Sequence, residues 1–212
     1  MIKLTDNLIF AEGGRRYCFV HPDDPNKCIK TLSPNGDPQK RRKEAPWYKK
    51  IRPLSMFDDN KRELKSFYGL EKKGGAVWEH FPRCYGILPT NCGDGIVTDL
   101  IRDKDGNISK TVRQYVKANG KTPELLGALE VFFNLFRTHL IVTRDILDHN
   151  LVVKIVDENL TIYMIDGFGS SEVIPFLLWF SLVAKRKVNR KIERFKNRYG
   201  LFVNEFSAKN RV

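Results

Sequence analysis

The chain has 212 residues, 42% of them hydrophobic, and carries 37 Lys and Arg against 25 Asp and Glu, a net charge of +12. This composition excludes a disordered chain, allows one domain or a two-lobed unit with a real core, and points to an anionic partner. Cys18, Cys28, Cys84 and Cys92 form no C-x-x-C pair, and Met1 to Asp6 opens without a basic region followed by an apolar run. The longest apolar stretch, Val173 to Ala184, is broken by Pro175 and Ser181. It falls short of the roughly 20 residues a membrane span needs. A reduced, cytoplasmic protein is the expectation.

In chain order, Leu8 to Leu32 reads as strand, glycine turn, strand, turn, strand. Gly13-Gly14 would let backbone amides approach phosphates, or would simply close a hairpin, since no full G-x-G-x-x-G is present. Lys30 leaves an apolar strand where a nucleotide-phosphate clamp belongs, and such a lysine needs an acidic residue to orient it. Ser33 to Asn60, with four prolines and the run Lys40-Arg41-Arg42-Lys43, reads as a basic loop with a short helix around Trp47-Tyr48. It is either solvated or a contact for an anionic substrate or membrane surface.

Asp59 to Lys73 is a helix, capped by Asp59 or Asn60 and ended by Gly74-Gly75. Glu63 in its first turns is the expected partner of Lys30, and that pairing requires buried contact. Phe81 to Ile87 and Gly95 to Ile101 are two further strands. Asp99 and Leu100 would then form a hinge whose backbone meets adenine. His80, Cys84 and Cys92 fit no zinc spacing, and the D-x-D-G at Asp103 to Gly106 lacks the length and terminal Glu of a calcium loop.

Thr122 to Leu140 is the strongest helix, with Thr122 as cap and Pro123 in the first position. It is apolar on most sides and is therefore expected to be buried. The chain then reaches Arg144-Asp145, Asn150, two apolar runs separated by Asp157-Glu158-Asn159, and Asp166. D-x-x-x-x-N alone is common. The hairpin gives it weight, because Leu151 to Val156 paired with Thr161 to Ile165 brings Asn150 and Asp166 side by side. A carboxylate and an amide oxygen suit Mg²⁺ held against ATP phosphates, with Asp145 contacting the substrate hydroxyl. After Gly169 a helix is expected from Pro175 to about Tyr199, apolar in its first half and basic in its second. That gradient is either core followed by solvated face or a peripheral membrane element. No nucleic-acid module accompanies the charge, so no nucleic-acid partner is expected.

Together these pieces resemble the PhoP regulatory network protein YrbL family of bacteria, a branch of the protein-kinase-like fold. The matching residues are Gly13 with Arg16-Tyr17-Cys18-Phe19, His21-Pro22-x-Asp24, Cys28-Ile29-Lys30, Arg62-Glu63-Leu64 and Gly95 to Asp99. They continue with Asp105-Gly106, Asn150, Asp166-x-x-Gly169, Ile174-Pro175 and Trp179, while Pro34 to Asn60 looks like an insertion. The resemblance implies an α+β fold in two lobes, a small antiparallel sheet over 1–101 with the basic insert 33–60, and a reduced, mostly helical lobe over 102–212. Lys30, Glu63, Asn150 and Asp166 would be the ATP and magnesium set. Members of the family can lack the catalytic-loop Asp, which this chain keeps as Asp145. The glycine loop is incomplete, D-G-F-G replaces D-F-G, A-P-E is absent, and the stretch after Asp166 is short for a peptide-binding lobe. The chain is therefore similar to small kinases of lipopolysaccharide-core sugars. The implied activity is transfer from ATP to a hydroxyl of an anionic, small or lipid-linked sugar, in the cytoplasm or at the inner membrane face. The alternative is a silent regulator that binds nucleotide or a protein.

Overall fold

In the computed structural model, which describes residues 1–168 and 181–209 (the last nine as backbone), the chain partitions into two units. One comprises Met1–Tyr68 with Pro82–Leu100; the other comprises Gly69–Phe81 with the described residues from Ile101 onward. The expectations attached to Gly169, Ile174-Pro175, Trp179 and the apolar start of the last helix lie outside the described residues.

The first unit is built on strands β1 (Ile9–Glu12), β2 (Arg16–His21), β3 (Asp24–Leu32), β4 (Cys84–Thr90) and β5 (Gly93–Asp99). They form one antiparallel sheet in the order β1-β2-β3-β5-β4. Strand side chains alternate between faces. On one face Leu4, Phe19, Ile29 and Val97 pack into a core. The other face carries Lys30, opposite Cys18 in the β2–β3 register. β3 is therefore buried on both sides from Cys28 to Thr31. Gly95 is required in β5, because a Cβ there would run into the Ile29 side chain.

The expected basic loop is instead partly helical. Asp37 accepts from the Gln39 amide at 2.9 Å and Pro38 opens α1 (Pro38–Glu44), an arrangement suited to a helix N-terminus. The short helix expected around Trp47 is α2 (Trp47–Lys50). α3 (Asp59–Glu71) begins one residue after its true cap. Asp58 accepts from the amides of Asn60 (2.9 Å) and Lys61 (3.1 Å), so neither Asp59 nor Asn60 is the cap. The Asn60 side chain is turned inward and donates to the carbonyls of Lys30 (2.9 Å) and Asp94 (3.1 Å).

The second unit contains α4 (Val112–Asn119), α5 (Pro123–Thr138), α6 (Ser181–Lys209) and the antiparallel sheet β6 (Lys110–Thr111), β7 (Leu151–Val156), β8 (Asn159–Met164). Sequence reading misses β6 and α4. α4 starts with a reciprocal capping box between Thr111 and Gln114 and ends at Gly120, whose φ is 77°. Thr122 caps α5 as expected, accepting from the Leu125 amide at 3.2 Å. Burial of α5 is one-sided: Leu125, Leu129, Phe132, Phe133 and Phe136 face inward, whereas Val131 is 59% exposed.

An aromatic chain forms this core. Phe81 stacks on Phe136 at 5.8 Å, Phe136 meets Phe132 at 4.6 Å, and Phe133 meets Phe195 of α6 at 5.5 Å. α6 buries Ala184, Val188, Ile192, Phe195 and Tyr199, a stripe at helical spacing. Over the described residues, then, the basic part of the helix is itself divided into a buried apolar stripe and a charged face.

Phe136 is fully buried, so Phe136→Ala should lower the unfolding free energy by about 3–5 kcal/mol in urea denaturation. Val131→Ala, at an exposed position of the same helix, should stay within about 0.5 kcal/mol of wild type.

Candidate active-site residues

In the first unit, Lys30 Nζ donates to Glu63 Oε1 at 2.7 Å, and Arg16 donates to Glu63 Oε2. The side chains of Lys30 and Glu63 are 7% and 5% exposed, so the buried contact demanded by the sequence argument is present. Arg16 is the unforeseen third member. It comes from β2, and no spacing in the sequence links it to Glu63. Both carboxylate oxygens of Glu63 are thus engaged by cations. The neighbouring thiols stay neutral. Burial pushes Cys18 up to about 11 against the pull of Lys30, and burial raises Cys28 as well.

The other expected nucleotide contacts are more constrained. The Gly13 amide donates to Arg16 O at 2.8 Å, closing the β1–β2 hairpin, so the phosphate expectation rests on the Gly14 end of the turn. At the expected hinge, the Asp99 amide donates to Arg83 O (3.0 Å) and the Leu100 amide to Asn26 O (2.8 Å). Both amides are therefore engaged within the first unit, and the Asp99 carbonyl itself accepts from the Thr98 hydroxyl at 3.4 Å and the Cys28 thiol at 3.8 Å. The Asp99 carboxylate accepts from the Arg83 amide (2.8 Å) and Tyr85 hydroxyl (2.7 Å), and that hydrogen bond is the main reason Tyr85 rises to about 12.

In the second unit, β7 and β8 join through a tight turn in which Asp157 has a φ of 53°, and their far ends meet as the Leu151–Met164 pair. The ladder then extends past the strands. The Ile165 amide donates to Asn150 O at 2.9 Å, the Arg144 amide donates to Gly167 O at 3.2 Å, and Thr143 bridges Phe168. Segments 143–150 and 164–168 are in this way zipped together, bringing Asp145, Asn150 and Asp166 into one neighbourhood. Gly167 makes the approach possible. Its φ is 81°, and a Cβ there would lie 2.8 Å from Asn150 Nδ2 and 3.3 Å from Asp145 O. The next residue, Phe168, is buried and meets Phe81 edge-on at 5.5 Å.

Asp145 sits under α6. Its Oδ2 lies 3.5 Å from Arg198, its Oδ1 lies 3.8 Å from Lys191 Nζ, and Oδ1 is buried without a hydrogen bond. Lys191 also donates to Arg144 O. Burial lowers the Lys191 pKa, the Asp145 charge opposes that shift, and Arg194, Arg190 and Arg198 reinforce it. Behind the loop, Arg113 grips Asp148 with two hydrogen bonds of 2.9 and 2.8 Å. Burial works against ionisation of Asp148, but the Arg113 guanidinium, helped by His149, outweighs it and holds the carboxyl below its ordinary range. Asn150 and Asp166 carry hard oxygen donors just beyond the paired strand ends, where Asp166 Oδ1 also accepts from the Gly167 amide at 2.6 Å. Oxygen donors of this kind are what a divalent cation such as Mg²⁺ takes, and among the described residues no three His, Cys, Asp or Glu side chains cluster to hold one. Lys191 and Arg198 were hidden in a generally basic helix: their seven-residue spacing puts them on one helix face, but nothing in the sequence pairs that face with Asp145.

Residues 2–200 match the family described as PhoP regulatory network protein YrbL, and the chain belongs to that family. It is 29% identical over 199 residues to "Uncharacterized protein YrbL" of Escherichia coli (strain K12), covering 92% of this chain and 86% of that one. The figures for the Shigella flexneri protein of the same name are the same. The crystal structure of WbdD overlaps with a TM-score of 0.46 at 14% identity, over 83% of this chain and 36% of that one. A likeness at that level assigns neither fold nor activity.

Glu63→Gln removes the charge that two buried cations share and should lower stability by about 3–5 kcal/mol in denaturant titration. A loss below about 1 kcal/mol would mean that solvent screens the cluster. Because the Asp148 pKa is depressed on folding, its stabilisation is complete above the ordinary carboxylate pKa and disappears as pH falls through the lower folded value. Arg113→Met should therefore weaken the protein at neutral pH and flatten that acid limb in a melting-temperature series.

Proposed function

We propose that this member of the YrbL family is a phosphotransferase with a two-lobed, protein-kinase-like fold. It moves the terminal phosphoryl group of ATP to a hydroxyl of a small or lipid-linked sugar. The observation that carries this reading is the zipped joint that gathers Asp145, Asn150 and Asp166. Phosphoryl transfer asks a protein for positioning and charge neutralisation, with little covalent work. The chain supplies a candidate for each need. Lys30, oriented by Glu63, clamps phosphate oxygens. Asn150 and Asp166 hold Mg²⁺, which when bound neutralises charge on the nucleotide phosphates. Asp145 accepts the proton of the acceptor hydroxyl as its oxygen bonds to phosphorus and the bond to ADP breaks; the proton then passes to solvent.

Lys191 and Arg198 beside Asp145 favour an acceptor that is itself anionic. Dependence on ATP places the reaction in the cytoplasm. One observation favours a second reading, a regulator that binds nucleotide or a partner without transfer: the carboxylate of the base already faces two cations.

Mg²⁺-dependent ATP binding should stabilise the native protein by about 2.7 kcal/mol at 100 times its Kd, a thermal shift that Asp166→Ala abolishes. Absence of a shift in wild type would sink the nucleotide site. Asp145→Asn should retain the shift but lose phosphate transfer to sugar acceptors. Transfer that survives in that variant would remove the base assignment. A wild-type shift without transfer to any sugar acceptor would favour the regulator.

A further inference from the structure

The segment that joins β3 to α3 is a small rigid platform. Arg41 is turned inward, donating to Phe57 O and pairing with Asp59 at 3.2 Å, and Phe57 itself is buried. Arg42 Nε donates to Lys50 O at 2.8 Å and ties α1 to α2. Gly36 packs so closely on the Arg15 carbonyl that no side chain fits there. The platform holds its apolar side chains outward. Trp47 is 80% exposed and Ile51 82%, with Tyr48 beside them, edge-to-face with Trp47 at 6.1 Å. Lys40, Arg42, Lys43 and Lys50 of the same segment are exposed, and Asp37 and Glu44 are the only acids from residue 37 to residue 52.

Single exposed apolar residues are ordinary, but an exposed tryptophan, tyrosine and isoleucine within one short, strongly basic segment, with Lys49 Nζ 5.8 Å from the Tyr48 ring centre, suit an interaction surface. Charge complementarity selects an anionic one. The mixture of indole, phenol and ammonium groups matches the membrane interface, where aromatic rings sit at headgroup depth and lysines meet lipid phosphates. Among the described residues no helix is long and apolar enough to cross a membrane.

We propose that residues 38–56 are a membrane-surface anchor that lays Trp47, Tyr48 and Ile51 into the headgroup region of an anionic bilayer. Lys40, Arg42, Lys43 and Lys50 cover its lipid phosphates. The apolar contacts and the charges form two separate signals, and stable peripheral attachment takes two. This anchor stands whether or not the chain transfers phosphate.

The test is co-sedimentation of the full chain with phosphatidylcholine vesicles, with and without phosphatidylglycerol. Wild type should bind only the phosphatidylglycerol vesicles and lose affinity as salt rises. Trp47→Ser with Ile51→Ser, and separately Lys40→Glu with Lys43→Glu and Lys50→Glu, should each weaken binding at least about tenfold. Melting temperature should stay constant in both sets, because the altered side chains are largely in water. Failure of wild type to bind phosphatidylglycerol vesicles would overturn the proposal. So would binding that survives the apolar pair, since charge alone would then explain it. Tighter binding to a single-stranded RNA oligonucleotide at the same salt, lost in the same variants, would reassign the patch to nucleic acid.

Discussion

The pairing of β7 with β8 is the constraint on which the candidate chemistry depends. A hairpin fixes the distance between its ends by counting residues, and here one end delivers Asn150 and the other Asp166. The backbone bonds that continue the ladder to Gly167 and Phe168 then capture the Asp145 loop. Three polar side chains are positioned by main-chain geometry, and Phe168 locks the arrangement into the aromatic core through Phe81. A glycine at 167 suits that closeness, because its φ of 81° is a conformation side chains rarely adopt and a Cβ would crowd the Asn150 amide group.

The large positive charge is used in different ways. On the Lys30 face of the first sheet, two cations converge on Glu63 in a dry setting where adjacent thiols are kept protonated. Under α6 the cations surround a carboxylate that retains partial access to water. On the α1–α2 platform they stand in solvent within a segment that also exposes aromatic side chains. Only the burial and the company of each group separate these roles, and net charge says nothing of either.

Much of the local architecture was legible because its causes are local. The β7–β8 hairpin follows from two apolar runs and a turn, and α5 follows from Thr122-Pro123 and a long apolar pattern. The Lys30–Glu63 contact was inferred from chemistry, since a phosphate-clamping lysine needs an acid to orient it. Other features were signalled but passed over: Asp37-Pro38 announces α1, Thr111 with Gln114 announces α4, and Asp58 competes with its neighbours to cap α3. Arg16 at Glu63 and Lys191 and Arg198 at Asp145 were not legible, because nothing in the order of residues marks which distant cation will face a given carboxylate. The insert was read by its charge and prolines, which conceal that its aromatic residues are displayed on a folded support.

The tight turn at Asp157 has a consequence for the order of assembly. Hairpins of this kind close in roughly microseconds once chain ends meet, because little loop entropy is lost. The Asn150–Asp166 spacing is therefore a product of nearest-neighbour chain events. The Lys30–Glu63 and Arg16–Glu63 contacts span 33 and 47 residues and must wait for the sheet and α3 to come together. A nascent chain would carry its candidate metal ligands in register as soon as β8 emerged, independently of when the buried cation cluster matured.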